Sequence, residues 1–374
     1  MVPPDARIAS GVLAGAAALA LEQGNLDEAA DLGERTLAAA REEGCVGELV
    51  LALNVLGAAA WRQDRYEQGR LRHEEALSLA RSHADPEGQL DALSNLVLSS
   101  SLVGHAADVS RLAEEAVTVA SSLGDPHAMA RALVGQATVL SHMGLYEQAG
   151  GVMERALDLF RAVGDTGRIA EVLFLLGTTA MARRDYERSV TLLEECLALR
   201  TARGDRITVE AARGALGSAL LNMGDLDAAE VLLEESYRSS RDQGGPMGEP
   251  IGLALLGHLA LARSDVAAAR SYLAPSASLF EAMGNRQYLL WCLEGLVSLC
   301  VLEERWEVGA RLCGAREQLL DELSSHVAPL CPDAFDGAIE STRAALGDEG
   351  FRAGRIQGRA LPLSRLMEEA IGSA

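Results

Sequence analysis

Lysine is missing from this 374-residue chain; all 33 basic residues are arginine. That absence removes the Schiff-base amine, the P-loop residue that reaches nucleotide phosphates, and a common buried general base. Aromatic residues are scarce at 4%, against 49% hydrophobic overall, so the core must be mainly Leu, Ala and Val. Such a mixture suits closely packed helices. Six cysteines lie far apart with no C-x-x-C, which fits neither a zinc site nor a small disulfide framework. They read as small hydrophobes in a reducing cytoplasm. The histidines show no H-x-x-x-H or H-E-x-x-H spacing, so neither a metal nor another cofactor is expected. Positive charge is short as well: 54 acidic residues give a net charge of −21, which opposes direct nucleic-acid binding. The apolar run from Ile8 to Leu21 is too short to span a bilayer and has only Arg7 as a basic flank, so it reads as a helix and not as an export signal.

What is present is a period. A segment beginning Gly24-Asn-Leu-Asp-Glu-Ala restarts at Asp64, Gly104, Gly144, Arg184, Gly224, Ser264 and Glu304, always 40 residues on. A fixed period in this range marks a stacked repeat array. In the fifth repeat, Asp165 follows Gly164, and Ile169, Val172, Leu173, Leu176 and Ala180 recur at helical spacing up to about Arg183. After the turn Arg184-Asp185, a second helix carries Tyr186, Val190, Leu193, Leu197 and Leu199 and ends at Gly204. Gly44, Gly124, Gly164, Gly204, Gly244 and Gly284 share one repeat position, with Ala84 and Ser324 as departures. Asp85, Asp125, Asp165 and Asp205 then serve as N-caps, and Pro86 and Pro126 occupy the first helical position. Gly57, Ala137, Gly177, Gly217 and Gly257 form a second line of small residues where the paired helices approach. The expected fold is all-α: a right-handed α-solenoid of about eight helix-turn-helix repeats over 1–324, with a C-terminal helical cap over 325–374.

Leu56-Gly57, Leu176-Gly177, Leu216-Gly217 and Leu256-Gly257 are followed by Tyr66, Tyr146, Tyr186 or Trp306 at the turn and by Ala29, Ala149, Ala229 or Ala269 on the second helix. This pattern resembles the tetratricopeptide (TPR) repeat. The period of 40 departs from that family's shorter repeat, and most repeats lack its terminal Pro. After Ser324 the register stops. Pro329 and Pro332 bracket a break, and helices are expected over Asp333–Leu346, ended by Gly347, then Asp348–Gln357, ended by Gly358, then Arg365–Ile371, capped by Ser364. The segments Gly309-Ala-Arg-Leu-Cys-Gly-Ala-Arg-Glu and Gly358-Arg-Ala-Leu-Pro-Leu resemble the C-terminal TPR region of actinobacterial ATPase-type (LuxR-like, AfsR/SARP-like) transcriptional regulators. No G-x-x-x-x-G-K-[ST] and no DNA-binding helix pair accompanies them. The first helix carries Ile8, Val12, Leu13, Leu19 and Leu21 with no polar cap before it. The expectation is a chain cut from a longer one, or an end covered by a partner or by self-association.

The TPR resemblance implies that the first helix of each pair lines the concave face. Carried over by position, the ligand- or partner-binding residues are Asn54, Trp61, Arg62, Asp91, Arg131, His142, Glu171, Phe174, Asn222, His258, Trp291 and Glu294, with Ser94, Ser101, Thr138 and Thr178 beside them. Such a face suits a protein or peptide segment, or a small-molecule effector. Each of these residues also has a bland reading as a solvated or internally bonded side chain. The glutamates Glu34, Glu74, Glu114, Glu154, Glu194 and Glu234, one per repeat on the second helix, read as a solvated acidic ridge. Ser99, Ser100 and Ser101 lack a G-x-S-x-G setting, and no catalytic constellation is visible. The function expected is a non-catalytic binding or sensor module of a transcriptional regulator. Its alternatives are a freestanding scaffold and an enzyme using the superhelix interior as a reaction chamber.

Overall fold

The computed structural model describes residues 4–63, 65–100, 106–204, 206–244, 246–323 and 326–372. Every regular element among them is a helix. Contacts group the chain into two units, Met1–Gly164 and Asp165–Ala374. The first holds α1 (Pro4–Glu22), α2 (Leu26–Glu43), α3 (Val46–Arg62), α4 (Tyr66–Ser82), α5 (Pro86–Ser100), α6 (Ala106–Leu123), α7 (Pro126–His142) and α8 (Tyr146–Val163). The second holds α9 (Thr166–Ala182), α10 (Tyr186–Arg203), α11 (Arg206–Met223), α12 (Leu226–Gln243), α13 (Gly248–Ala262), α14 (Val266–Ala282), α15 (Arg286–Leu302) and α16 (Trp306–Leu323). It closes with α17 (Pro332–Ala360) and α18 (Leu363–Ile371). Within each unit successive helices pair antiparallel, and each odd-numbered helix also touches the next odd one. The fold class is the expected all-α solenoid.

The turns explain why the period is so regular. Gly44, Gly164, Gly204 and Gly244 end their helices in the left-handed region, and Ala84 adopts the same conformation at φ 52° without being glycine. Inside the hairpins Gly144 and Gly224 do likewise, while Arg184, Ser264 and Glu304 hold that position at φ 55–63°. The aspartate caps are real. Asp125 accepts from the His127 and Ala128 amides, both at 3.1 Å, Asp165 from Arg168 N at 3.0 Å, and Asp85 from Gly88 N at 3.0 Å. Asp225, Asp265 and Asn285 cap in the same way, a role the sequence reading did not assign them. Asp64, Gly104, Asp205 and Ser324 lie outside the described residues.

Packing turns on the small-residue line. A Cβ at Gly177 would sit 2.6 Å from Leu193 Cγ, one at Gly217 2.6 Å from Leu233 Cδ2, and one at Gly257 2.7 Å from Leu273. Leu193, Leu233 and Leu273 are almost wholly buried, so each fills the notch its glycine leaves. The six glutamates of the acidic line are all exposed, as a solvated ridge requires. At α1, Ala14, Ala17 and Ala20 face inward, while Val12 and Leu19 are 65% and 55% exposed.

The tail departs from its sequence reading in two places. A break at Gly347 (φ 70°) divides α17 where expected, but the second half runs on to Ala360 with Gly358 inside it. The last helix begins at Leu363 after Pro362, so Ser364 lies within it and makes no cap. Gly358 is not a terminator because it is a contact. A Cβ there would collide with the Arg311 carbonyl, and one at Gly314 with the Arg355 carbonyl. The Gly-rich tail segments thus bring the backbones of α16 and α17 together. Phe335, Phe351, Leu366 and Met367 extend the same core, and Arg305 Nη1 donates to Ala370 O at the end of α18 at 2.8 Å.

Backbone atoms cannot swing aside as a leucine side chain can. Gly314→Ala and Gly358→Ala should each destabilise the chain by about 1–3 kcal/mol, the usual cost of overpacking. Gly151→Ala, where a Cβ meets nothing within 4 Å on an exposed helical position, should stabilise by about 0.5–1 kcal/mol. Thermal and urea melting of the three variants checks the contrast; equal melting of all three would refute it.

Candidate functional site

In the first unit α3, α5 and α7 lie side by side, and the expected residues fall on them. Asn54 is 5% exposed, with Oδ1 3.3 Å from His73 Nδ1. Trp61 meets the Tyr66 ring edge-on at 6.4 Å. Arg62 is exposed and donates to Leu21 O at 2.7 Å, so its charge is tied to the end of α1. Arg131 on α7 forms an ion pair with Asp91 on α5. Thr138 bonds back to Val134 O in its own helix at 2.9 Å. Ser101 lies outside the described residues.

One observation separates this face from ordinary helix surface. Among the described residues seven buried side-chain polar atoms have no hydrogen-bond partner: Glu43 Oε2 on α2, Arg355 Nε on α17, and the five atoms Asn54 Nδ2, Trp61 Nε1, Ser94 Oγ, Ser141 Oγ and His142 Nδ1. All five belong to α3, α5 and α7. A buried polar atom left unpaired costs about 1–3 kcal/mol, so a row of them needs an explanation. Nδ2 and Nε1 can only donate, the two hydroxyls can do either, and burial lowers the pKa of His142 so that its ring is neutral. Unpaired Nδ2 and Nε1 donors call for acceptors such as carbonyl oxygens, whereas the hydroxyl and imidazole groups accommodate either donors or acceptors. Asn54 and Ser94 share one repeat position and Trp61 and Ser141 another. Ser141 was missed by sequence reasoning; its repeat position, already occupied by Trp61, was the available signal.

The second unit treats its odd-helix face differently. Glu171 on α9 pairs with Arg168 at 2.7 Å, the Arg200 guanidinium lies 4.7 Å over Phe174, and Thr178 bonds to Leu175 O. His258 is buried and its Nε2–H donates to Trp291 O at 2.9 Å; burial lowers its pKa to about 4. Trp291 packs edge-on against Tyr288 at 4.8 Å. Glu294 is 1% exposed, salt-bridged to Arg316 at 2.7 Å, and accepts from Leu330 N at 3.0 Å. Asn222 Nδ2 donates to Leu330 O at 3.0 Å. His258 and Glu294 are thus committed inside the protein. Asn222 and Glu294 hold a segment of the chain itself, a role that spacing did not reveal because Leu330 lies 108 and 36 residues away from them.

Other reactive groups are muted. Burial pushes the thiols of Cys292, Cys313 and Cys331 up to about 12 and that of Cys300 to about 11, leaving them protonated. Ser99 Oγ bonds to Asn95 O in its own helix. Among the described residues no three His, Cys, Asp or Glu side chains gather as a metal site, and no helix is long and apolar enough to cross a membrane. A cleft of about 940 Å³ opens between α4, α5 and α6, where Arg70 and Arg81 are already paired with Glu74 and Glu115.

Family models described as tetratricopeptide repeat match residues 128–202 and 211–243. TPR repeats are present. Among solved structures, the chain is similar to a Rap protein complexed with Competence and Sporulation Factor, with a TM-score of 0.60, 13% identity, and coverage of 87% of this chain and 98% of that one. It is also similar to the apo quorum sensor NprR from B. thuringiensis, with a TM-score of 0.57, 14% identity, and coverage of 85% and 89%. A third likeness is to a signal transduction ATPase with numerous domains and a tetratricopeptide repeat sensor from Pyrococcus horikoshii. There the TM-score is 0.51 and the identity 15%; 71% of this chain is covered, spanning 42% of that protein. At these identities the likeness is one of fold. No curated protein sequence matches the chain.

His73 occupies, against Gly57, the repeat position that Leu193, Leu233 and Leu273 fill elsewhere. Burial lowers its pKa from 6.5 to about 4. The unfolded chain therefore takes up this proton near pH 6.5 and the folded chain only near pH 4. Its contribution is fully present above pH 6.5 and is lost as pH falls towards 4. His73→Leu should accordingly flatten the fall in melting temperature between pH 7.5 and 4.5, and an unchanged pH profile would count against a buried neutral imidazole.

Proposed function

We propose that this chain is a non-catalytic TPR module that binds an extended peptide or protein segment on the odd-helix face of its first unit, and that it serves a bacterial transcriptional regulator as its sensing part. The observation carrying this reading is the row of five unpartnered buried polar atoms on α3, α5 and α7. Backbone carbonyls of an extended segment would satisfy Asn54 Nδ2 and Trp61 Nε1, with Arg131 and Asp91 placed to read charge beside them. Satisfying such groups on binding also gives selectivity, since a partner that leaves them unpaired loses affinity.

The regulatory part of the reading rests on likeness. One similar structure holds a Rap protein with Competence and Sporulation Factor, another is a quorum sensor, and a third is an ATPase with a TPR sensor. The tail segments from Gly309 and Gly358 resemble those of actinobacterial ATPase-type regulators, in which a nucleotide-binding domain precedes a TPR array, and this supports reading the chain as the sensing part of such a protein. Residues 325–374 serve in this reading as the cap of a repeat array over 1–324, consistent with the burial of Phe335, Phe351 and Leu366 against the last repeat. The acidic balance, −21 overall, favours partners other than nucleic acid.

A thermal-shift screen over peptides identifies a binder, because a ligand present at about 100 times its Kd stabilises the folded state by about 2.7 kcal/mol. Trp61→Phe keeps the ring and deletes the N–H, so it should weaken that binder by roughly three- to ten-fold, the worth of one hydrogen bond. Arg131→Ala should weaken it as well, with both variants melting as the parent does. Unchanged affinity in both would remove the first unit's face from the reading.

A further inference from the structure

Within the second unit, residues 326–331 form no helix and run along the odd-helix side before α17 begins at Pro332. Their backbone is held by side chains of the array. Leu330 O accepts from Asn222 Nδ2 on α11, Leu330 N donates to Glu294 on α15, and Val327 O accepts from Arg316 on α16 at 3.4 Å. Both polar groups of one residue are thus read by side chains two repeats apart, independently of what side chain Leu330 carries. That side chain is 2% exposed in a cluster with Leu221, Leu256 and Leu259. Three and six residues on, Asp333 and Asp336 pair with Arg184 at the α9–α10 turn, and Tyr186 Oη donates to Asp333. A backbone read by Asn and Glu, one buried apolar anchor and an acidic clasp from the start of α17 are the elements by which a groove holds a peptide segment.

We propose that this face of the second unit is a peptide seat occupied in cis by residues 326–336, and that it also takes, in trans, a peptide whose large apolar residue is followed by a helical turn carrying aspartates at the third and sixth positions after it. The site lies on other residues and in the other unit than the one proposed above, and stands or falls separately. Covalent attachment gives the resident segment a high effective concentration, of the order of millimolar for a short tether, so an outside peptide meets a strong competitor. The clasp is where that competition can be tilted. Its charges are about half exposed, at 45–56%, and exposed pairs contribute little to folding.

The test uses the full chain and a fluorescein-labelled synthetic peptide of residues 326–336 carrying Cys331→Ser, read by anisotropy. Asp333→Ala with Asp336→Ala in the protein removes the clasp from the resident segment only, because the added peptide keeps its own aspartates. Affinity for the peptide should rise about ten-fold over the parent chain. Asn222→Ala in the same background should then abolish most of the gain. Asp333→Asn with Asp336→Asn provides a gentler version should the alanine pair melt early. No binding to either clasp variant, equal binding to parent and variants, or insensitivity to Asn222→Ala overturns the proposal. Loss of binding with Trp61→Phe in place of Asn222→Ala puts the peptide on the first unit, which overturns this seat and leaves the earlier reading intact.

Discussion

In four of the helical pairs a side chain from the second helix drops onto a glycine of the first. Leu193 on Gly177, Leu233 on Gly217, Leu273 on Gly257 and His73 on Gly57 are four instances of one contact. With few aromatics available, this notch does the work that large rings do in other cores. It fixes the distance and rotation between paired helices, and so decides which odd-helix positions point away from the pair. The rows of Asn54 and Ser94, and of Trp61 and Ser141, exist as rows because the helical pair itself repeats every 40 residues.

Given that frame, the two units use the same surface in contrasting ways. In the second, polar side chains at these repeat positions have partners inside the chain: Glu294 shares its position with Asn54 and Ser94, and Asn222 shares its position with His142. In the first, Asn54 Nδ2, Ser94 Oγ and His142 Nδ1 have none among the described residues. The second unit thus supplies a worked example, inside one protein, of side chains at these positions pairing with the backbone of a non-helical residue, Leu330. Burying a carboxylate as deeply as Glu294 is costly, and the Arg316 guanidinium, itself 4.8 Å over the Phe335 ring, offsets that cost together with the Leu330 amide.

The helical architecture was legible because its signals are local and repeated. Gly164 ending one helix and Asp165 capping the next, or Gly177 opposite Leu193, can be read from residues near in sequence, and eight copies average out departures such as Ala84. The tail was read less well. Gly358 looks like a stop signal locally, and only the approach of Arg311 from a helix some 47 residues earlier makes it a packing residue. The candidate face was legible as a set of positions, since family geometry names the odd helices. Which members are open was not legible. Whether Glu294 meets solvent or Leu330 depends on a chain reversal that no periodicity encodes, and the unpaired state of Trp61 Nε1 is a property of packing around it.

The central claim is that the unpaired polar row of the first unit is a backbone-reading surface. A crystal structure of the chain with a peptide selected by thermal shift tests it most directly. The account predicts peptide carbonyl oxygens within hydrogen-bond distance of Trp61 Nε1 and Asn54 Nδ2, with the peptide extended across α3, α5 and α7. A peptide bound on the even-numbered helices, with both nitrogens still lacking a partner, would contradict it.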